Sequence, residues 1–176
     1  MLFFGNVDDR KGAGLLFEIA KHLSSVPGVK LIIMGEVSDK YVMEAARYKD
    51  SDNIRFMGYL SGNEKNKILC ETSCLLFLSR RDSMPFVLVQ SMGRGIPIIS
   101  TWRYVDKIFP KDVVMTSDES ATGVLAQVMK LYDLWKSDPD SFQRLSERVK
   151  QSSDSDFDRA TVMSKIENMF IYTCNY

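Results

Sequence analysis

Two segments of the sequence combine residue types that could bind an anionic ligand, and the first runs from Gly5 to Gly14. It joins a strand-like apolar run to a helical pattern, and its glycines allow close approach to the backbone. The free N–H groups at a helix start favour an anion, and Lys11, just before that start, could meet a phosphate as a point charge. The spacing is neither a dinucleotide-binding motif nor a P-loop, because the lysine precedes Gly12 and Gly14. The alternative is an ordinary turn with a solvated charged run.

The second segment, from Asp82 to Pro97, is the more informative one. Ser83 could cap a helix that has Pro85 in its first turn, and the amides there would point at an anionic ligand from a second direction. Asp82 lies at this cap and Gln90 two turns further along, so both side chains could face one crevice. The alternative is a capped amphipathic helix without a ligand.

The sequence has too few cysteines and histidines for a zinc site or for a catalytic triad away from His22. Cys70 and Cys74 are four apart, but no second Cys or His pair exists to complete a zinc site, so we expect no metal. His22 is the only histidine, and a triad would have to use it, whereas its amphipathic surroundings favour a solvated surface position. With Cys174 the cysteines number 3, too few for a disulfide framework and typical of a reduced, cytosolic protein.

The composition predicts one domain, residues 1–176, with enough apolar side chains for a sizeable core. Lys+Arg and Asp+Glu both number 23, so the basic excess of a non-specific nucleic-acid binder is missing and we expect no nucleic-acid partner. No apolar run approaches the ~18 residues that span a bilayer, and no basic leader precedes the first apolar stretch. These features indicate a cytoplasmic protein.

Short apolar runs alternate with helical patterns around these segments. Predicted strands cover residues 2–5, 29–34, 53–58, 74–78 and 97–100, and predicted helices cover 12–25, 38–48, 62–72 and 85–94. Continuous apolar strands separated by helices indicate a mostly parallel sheet covered on both faces, so we predict a doubly wound, Rossmann-like α/β fold.

The remaining chain differs from this alternation. Residues 113–115 could add one more strand, and a helical segment of about 121–174 follows. We predict helices at 121–136, 140–151 and 156–172, with a polar break at 152–156. In a doubly wound fold the ligand lies beyond the carboxyl ends of the strands, where the segments 6–14, 35–38, 58–62, 79–85 and 100–106 would meet.

Residues 82–97 resemble the nucleotide-sugar site of retaining GT-B glycosyltransferases, in particular the large family 4. That family's pattern is a Glu, seven residues, a second Glu, then Ala-Met-Ala-x-Gly-x-Pro and a strand. Asp82 and Gln90 stand at the two Glu positions, and the residues in register are Pro85, Val87, Leu88, Met92, Gly95 and Pro97. Residues 3–12 resemble the family's Gly-Arg-x-x-x-x-Lys-Gly, 29–35 and 53–58 its two strands that end in Gly, and 157–170 its closing helix.

The resemblance implies the donor-binding, C-terminal half of an enzyme that transfers a sugar from a UDP- or GDP-sugar to an acceptor. It implies catalytic roles for Lys11, on the donor diphosphate, and for Asp82, on the sugar hydroxyls, while Gln90 would contact the ribose. These groups would stabilise the departing nucleoside diphosphate, so no cofactor is expected. The other implied donor-binding positions are Gly5, Asn6, Gly12, Ser83, Met84, Pro85, Phe86 and Arg103.

The implied partner is an N-terminal half in the same or another chain, which carries the acceptor site. We therefore expect the isolated chain to be inactive. A membrane-bound acceptor would bring the protein to a bilayer surface.

The chain lacks the family's charged residue at two positions of the donor site. Asn6 replaces the diphosphate arginine, so one of two cations is lost unless Arg10, Arg81 or Arg103 substitutes for it. Gln90 replaces the second Glu, and its single carbonyl accepts hydrogen bonds less well than a carboxylate does.

A third departure follows the fifth strand, where Trp102 and Tyr104 stand in place of a glycine-rich loop. These rings could narrow the pocket, stack on a base or cover the site. Two further functions stay open: a non-catalytic nucleotide- or partner-binding module that keeps the GT-B fold, and another doubly wound enzyme such as a nucleotide-sugar epimerase. The epimerase would have to draw its acid and base from Asp and Glu.

Overall fold

A six-stranded parallel sheet forms the centre of the computed structural model, which describes residues 1–82, 85–111, 113–157 and 161. The strands are β1 (Leu2–Phe4), β2 (Leu31–Met34), β3 (Ile54–Gly58), β4 (Leu75–Phe77), β5 (Ile98–Ser100) and β6 (Val114–Thr116). Their order is β3-β2-β1-β4-β5-β6, and every pairing is parallel. The predicted strands are confirmed, including the additional one near 113–115.

Helices cover both faces of this sheet. They are α1 (Ala13–Leu23), α2 (Val42–Ala46), α3 (Gly62–Cys70), α4 (Phe86–Met92), α5 (Val105–Ile108), α6 (Ala121–Ser137) and α7 (Pro139–Asp156). Alternate residues of β1 face opposite sides, so Phe3 joins the core under α1 and α6 while Leu2 joins the core under α4 and α7. The doubly wound, Rossmann-like fold is therefore confirmed. None of the described helices is both long enough and apolar enough to cross a bilayer.

The C-terminal helices correct one sequence prediction. The polar break expected at 152–156 is wrong, because α7 continues through these residues to Asp156. Ser153 is buried where α7 packs on α4, with its hydroxyl against Gly93, so tertiary packing overrides the weak helix preference of serine and aspartate. The predicted helix 156–172 and the closing helix 157–170 fall almost entirely outside the described residues.

Two smaller differences affect the loops at the carboxyl edge of the sheet. The helix predicted over 38–48 is a 3-10 turn, Asp39–Tyr41, followed by the short α2. Residues 100–106, expected to be a loop, include the start of α5. This helix has four residues, which is too short for a periodic apolar pattern to predict it from the sequence.

The strand order places a topological switch point between β1 and β4. From β1 the chain continues to β2 and β3 on one side, and later to β4, β5 and β6 on the other. Ligands of open α/β sheets bind in the crevice outside the carboxyl ends of the strands at such a point. The loops that follow β1 and β4 are therefore the ones that any site would use.

Gly12 holds these two loops against each other. Its φ is +81°, a left-handed conformation, and a Cβ at this position would overlap the carbonyl oxygen of Leu78. Beside this contact, the backbone N–H of Arg80 donates to the carbonyl oxygen of Arg10 at 2.9 Å. The absence of a side chain at Gly12 is what allows the loops to approach.

We predict that Gly12→Ala lowers the free energy of unfolding by about 1–3 kcal/mol, because it adds backbone strain and a steric overlap. Gly14→Ala is the matched control, since its Cβ would meet only the Tyr41 hydroxyl at 3.9 Å within helix α1. The control should raise stability by up to about 1 kcal/mol. Urea unfolding of both variants measures the difference, and equal effects would contradict the role of Gly12.

Candidate functional site

The loops after β1 and β4 bring Lys11 and Asp82 together at the switch point. Lys11 Nζ lies 2.5 Å from Asp82 Oδ2, and the two side chains are only 18% and 15% exposed. The residues are 71 positions apart in the chain, so only the sheet topology makes them neighbours. The two positions that the resemblance implied as catalytic thus form one partly buried ion pair, here called the Lys11–Asp82 pair.

The Lys11 side chain has a fixed path across the loop. Its stem crosses Gly5, where a Cβ would stand 3.6 Å from the lysine Cδ and Cε atoms. The ammonium group lies 6.0 Å from the centroid of the Phe77 ring, near the outer limit of a cation–π contact. The backbone N–H of Lys11 donates to Asp8 Oδ1 at 2.8 Å, which orders the turn before α1.

Ser79 supports the acidic member of the pair. Its hydroxyl is 3.4 Å from Asp82 Oδ2 and also lies within hydrogen-bond distance of the carbonyl oxygens of Arg10 and Arg81. Ser79 is 1% exposed, so this hydroxyl joins both loops in the protein interior. Sequence reasoning did not select Ser79, although a serine directly after the apolar run of β4 was a usable signal.

A surface cluster of Asp9, Lys40 and Tyr41 fixes the other side of the same loop. Lys40 Nζ donates to both carboxylate oxygens of Asp9, at 2.8 and 2.7 Å, and the Tyr41 hydroxyl also donates to Asp9. The hydrogen bonds from Lys40 and Tyr41 lower the pKa of Asp9, and those same bonds raise the pKa of Lys40 and of Tyr41. The loop that carries Lys11 is thereby tied to the turn after β2.

Trp102 lies in the core beside Phe77. It is 3% exposed and packs edge-on against Phe77, with ring centroids 6.0 Å apart, so it does not cover the crevice. Tyr104 packs edge-on against Trp102, and the Arg103 guanidinium stands over the Tyr104 ring at 4.6 Å. Arg103 is therefore exposed and held on the neighbouring loop, without a hydrogen bond to the pair among the described contacts.

The remaining implied donor positions are more dispersed. Asn6 is exposed in the loop after β1, and Pro85 is buried at the start of α4. Phe86 is 69% exposed, and Gln90 is exposed one turn further along that helix. Within the described residues no hydrogen bond joins the Gln90 side chain to Lys11 or Asp82. Ser83 and Met84 lie outside the described residues.

The histidine and metal expectations concern other parts of the chain. His22 is exposed on α1, with Nδ1 2.8 Å from the carbonyl oxygen of Glu18, in agreement with a surface position. Across residues 1–82, 85–111, 113–157 and 161, no group of three or more His, Cys, Asp or Glu side chains could hold a metal ion.

A doubly wound parallel sheet with a partly buried lysine–carboxylate pair at its switch point defines an open α/β domain with a candidate ligand crevice. The chain matches the family described as glycosyl transferases group 1 over residues 1–130. Because this match covers most of the 176 residues, the chain belongs to that family. No curated protein shows significant sequence similarity to it.

Solved structures share the fold at low sequence identity. HepE from Anabaena, solved in complex with UDP, is 14% identical with a TM-score of 0.74, and the match covers 97% of this chain and 48% of HepE. Sucrose-phosphate synthase from Thermosynechococcus elongatus is 14% identical with a TM-score of 0.76, and the match covers 99% of this chain and 45% of the synthase. The chain thus spans about half the length of these relatives and has the fold of a GT-B C-terminal domain.

A separately solved C-terminal domain gives a match of more similar size. The C-terminal domain of LpcC, a glycosyl transferase group 1 family protein from Francisella tularensis, is 18% identical with a TM-score of 0.63. The match covers 86% of this chain and 80% of that domain. This length correspondence supports comparison with the C-terminal half alone.

We predict that a double-mutant cycle of Lys11→Met and Asp82→Asn gives a coupling energy of about 1.5–3 kcal/mol, as for a partly buried, charge-assisted hydrogen bond. Arg80 and Glu119 form the control pair, because their 3.4 Å contact joins side chains that are 57% and 51% exposed. Arg80→Met and Glu119→Gln should couple by less than about 1 kcal/mol. Urea unfolding of each variant gives the free energies of unfolding from which the coupling energies are calculated. Equal coupling energies in the two cycles would contradict the prediction that burial strengthens the Lys11–Asp82 pair.

Proposed function

We propose that this chain is the donor-binding half of a glycosyltransferase. It binds a nucleoside-diphosphate sugar at the Lys11–Asp82 pair and, with an N-terminal half in the same or another chain, transfers the sugar to an acceptor. The observation that carries the proposal is the partly buried pair at the switch point of the sheet. The UDP in the structure of HepE supports a nucleotide ligand for this fold.

Lys11 would act on the leaving group. An ammonium group has three N–H donors, and Asp82 takes one of them, so two are available for diphosphate oxygens. When the bond between the sugar carbon and the diphosphate oxygen breaks, the electron pair stays on that oxygen, and Lys11 stabilises the negative charge that develops there. The acceptor hydroxyl oxygen forms the new bond to the sugar carbon, and its proton passes to the departing diphosphate oxygen.

Asp82 would orient the transferred sugar. Its Oδ2 atom accepts from Lys11 and Ser79, while Oδ1 accepts no hydrogen bond from the described residues. A carboxylate oxygen in this position can accept hydrogen bonds from sugar hydroxyls. The lysine at the diphosphate and the carboxylate at the sugar would then contact the two groups that the breaking bond joins.

The second phosphate cation, missing at Asn6, would come from the neighbouring arginines. Arg10 precedes Lys11 and Arg81 precedes Asp82 in the chain, and both are exposed at the rim of the crevice. Arg103 is the third candidate, on the loop after β5. Their positions agree with a site in which the anion is bound from several loops.

A non-catalytic nucleotide-binding module is the second candidate function. The observation in its favour is the neutral side chain at both Asn6 and Gln90, where the family has charged residues. Such a module would keep the nucleotide contacts without the full set of groups that stabilises the leaving diphosphate.

We predict that UDP or GDP, and the corresponding glucose esters, raise the melting temperature of the chain, whereas glucose alone does not. A ligand at about 100 times its dissociation constant stabilises by about 2.7 kcal/mol. Thermal unfolding with each compound measures the effect. If neither nucleotide nor its glucose ester shifts the transition, donor binding is wrong, and turnover by the isolated chain would refute the need for a second half.

We further predict that Lys11→Met weakens binding of the nucleoside diphosphate by about tenfold or more, because a charge-assisted contact is lost, while binding of the nucleoside is nearly unchanged. Lys21→Met is the matched control, since Lys21 is an exposed lysine in the last turn of α1, at the opposite end of that helix. Calorimetric titration gives both affinities. Equal losses for nucleoside and nucleoside diphosphate would remove Lys11 from the phosphate role.

A further inference from the structure

The charge balance at the switch point is unusual for an anion site. Lys11 supplies one positive charge, Asp82 supplies one negative charge at 2.5 Å, and Asn6 in the same loop is neutral. Within the pair itself the two charges cancel, and the further cations, Arg10 and Arg81, are exposed at the rim of the crevice. A ligand that brings only negative charge therefore gains from the lysine and is repelled by the carboxylate.

The pair cannot separate easily to remove this repulsion. The lysine stem lies along Gly5, and the ammonium group faces the Phe77 ring, so its path is fixed. The buried Ser79 hydroxyl lies 3.4 Å from the same carboxylate oxygen of Asp82, Oδ2. Because Gly12 packs directly on Leu78, the two loops that carry the pair also stay together.

The sugar-bearing donor and the free nucleoside diphosphate differ in the charge of the terminal phosphate and in the number of hydroxyl donors. The terminal phosphate of a free nucleoside diphosphate has a second ionisation near neutral pH and carries about −1.5 to −2 charges. The same phosphate esterified to a sugar carries a single negative charge, and the sugar adds hydroxyl donors. The sugar hydroxyls of the ester can donate to Asp82 Oδ1, which accepts no hydrogen bond from the described residues.

We propose that the Lys11–Asp82 pair selects the sugar-bearing nucleotide over the free nucleoside diphosphate, so that Asp82 weakens binding of the product as well as orienting the donor. This inference rests on the proposed donor-binding function. It predicts that removal of the negative charge at Asp82 improves binding of the free diphosphate and impairs binding of the sugar ester. The selection arises from one carboxylate, without a lid or a second site.

The first test varies the ligand on the unaltered 176-residue chain. UDP and GDP are each titrated as the free diphosphate, as the methyl ester of the terminal phosphate and as the glucose ester. The methyl ester removes the extra charge without adding hydroxyl donors, so the affinity should rise from free diphosphate to methyl ester and again to glucose ester. A free diphosphate that binds as tightly as its methyl ester overturns the proposal.

The second test varies the carboxylate. Asp82→Asn should raise the affinity for the free diphosphate about tenfold, as expected for loss of a like-charge contact, and should lower that for the glucose ester. Glu119→Gln is the matched control, because it removes one negative charge that pairs with Arg80 at 3.4 Å on the exposed surface. The control should change both affinities by the same small factor.

The outcomes separate the two proposals. If Asp82→Asn changes both ligands by one common factor, as the control does, the selection is wrong while donor binding stands. If neither chain binds any of the six compounds, donor binding itself is wrong and the selection fails with it. Circular dichroism and melting temperature establish that Asp82→Asn is folded, and if it is not, the ligand series on the unaltered chain decides the question.

Discussion

The contact between the backbones of Gly12 and Leu78 is the constraint on which the crevice depends. Two loops from distant parts of the chain can approach this closely only because one of them lacks a side chain at the contact. The approach of these loops places Lys11 beside Asp82 and buries the Ser79 hydroxyl where the two loops meet. A lysine and a carboxylate in separate, solvated loops would interact weakly, whereas a partly buried pair has a defined geometry.

Three aromatic rings, those of Phe77, Trp102 and Tyr104, lie between the Lys11 ammonium and the Arg103 guanidinium. Phe77, at the end of β4, lies near the Lys11 ammonium and packs edge-on against the Trp102 indole. Trp102 in turn contacts Tyr104, on which Arg103 lies. A continuous row of contacts thus connects Lys11, on the loop after β1, with Arg103, on the loop after β5.

The parts of the fold that sequence predicted best are those with a strong local pattern. Buried strands such as 31–34 and 75–77 are continuous apolar runs, and helix α1 shows one apolar face, so their identity follows from side-chain spacing. The break predicted at 152–156 was wrong because polar residues there weaken the local signal, while buried Ser153 packs against Gly93, directly after α4. Ser79 was missed because its position directly after the apolar run of β4 indicates a residue at the sheet edge, whereas its contacts with Arg10 and Asp82 depend on how the loops pack.

The sequence by itself determined the class of sheet, the loops at its carboxyl edge and the residue types available for anion binding, because these depend on the order and periodicity of nearby residues. Only the tertiary structure decided that Lys11 and Asp82, 71 residues apart, form one pair, that Trp102 belongs to the core, and that Gln90 is exposed on α4. The physical reason is that strand order and loop contact are long-range packing properties. The periodicity of residues along the chain does not indicate how close two distant segments lie once the sheet has formed.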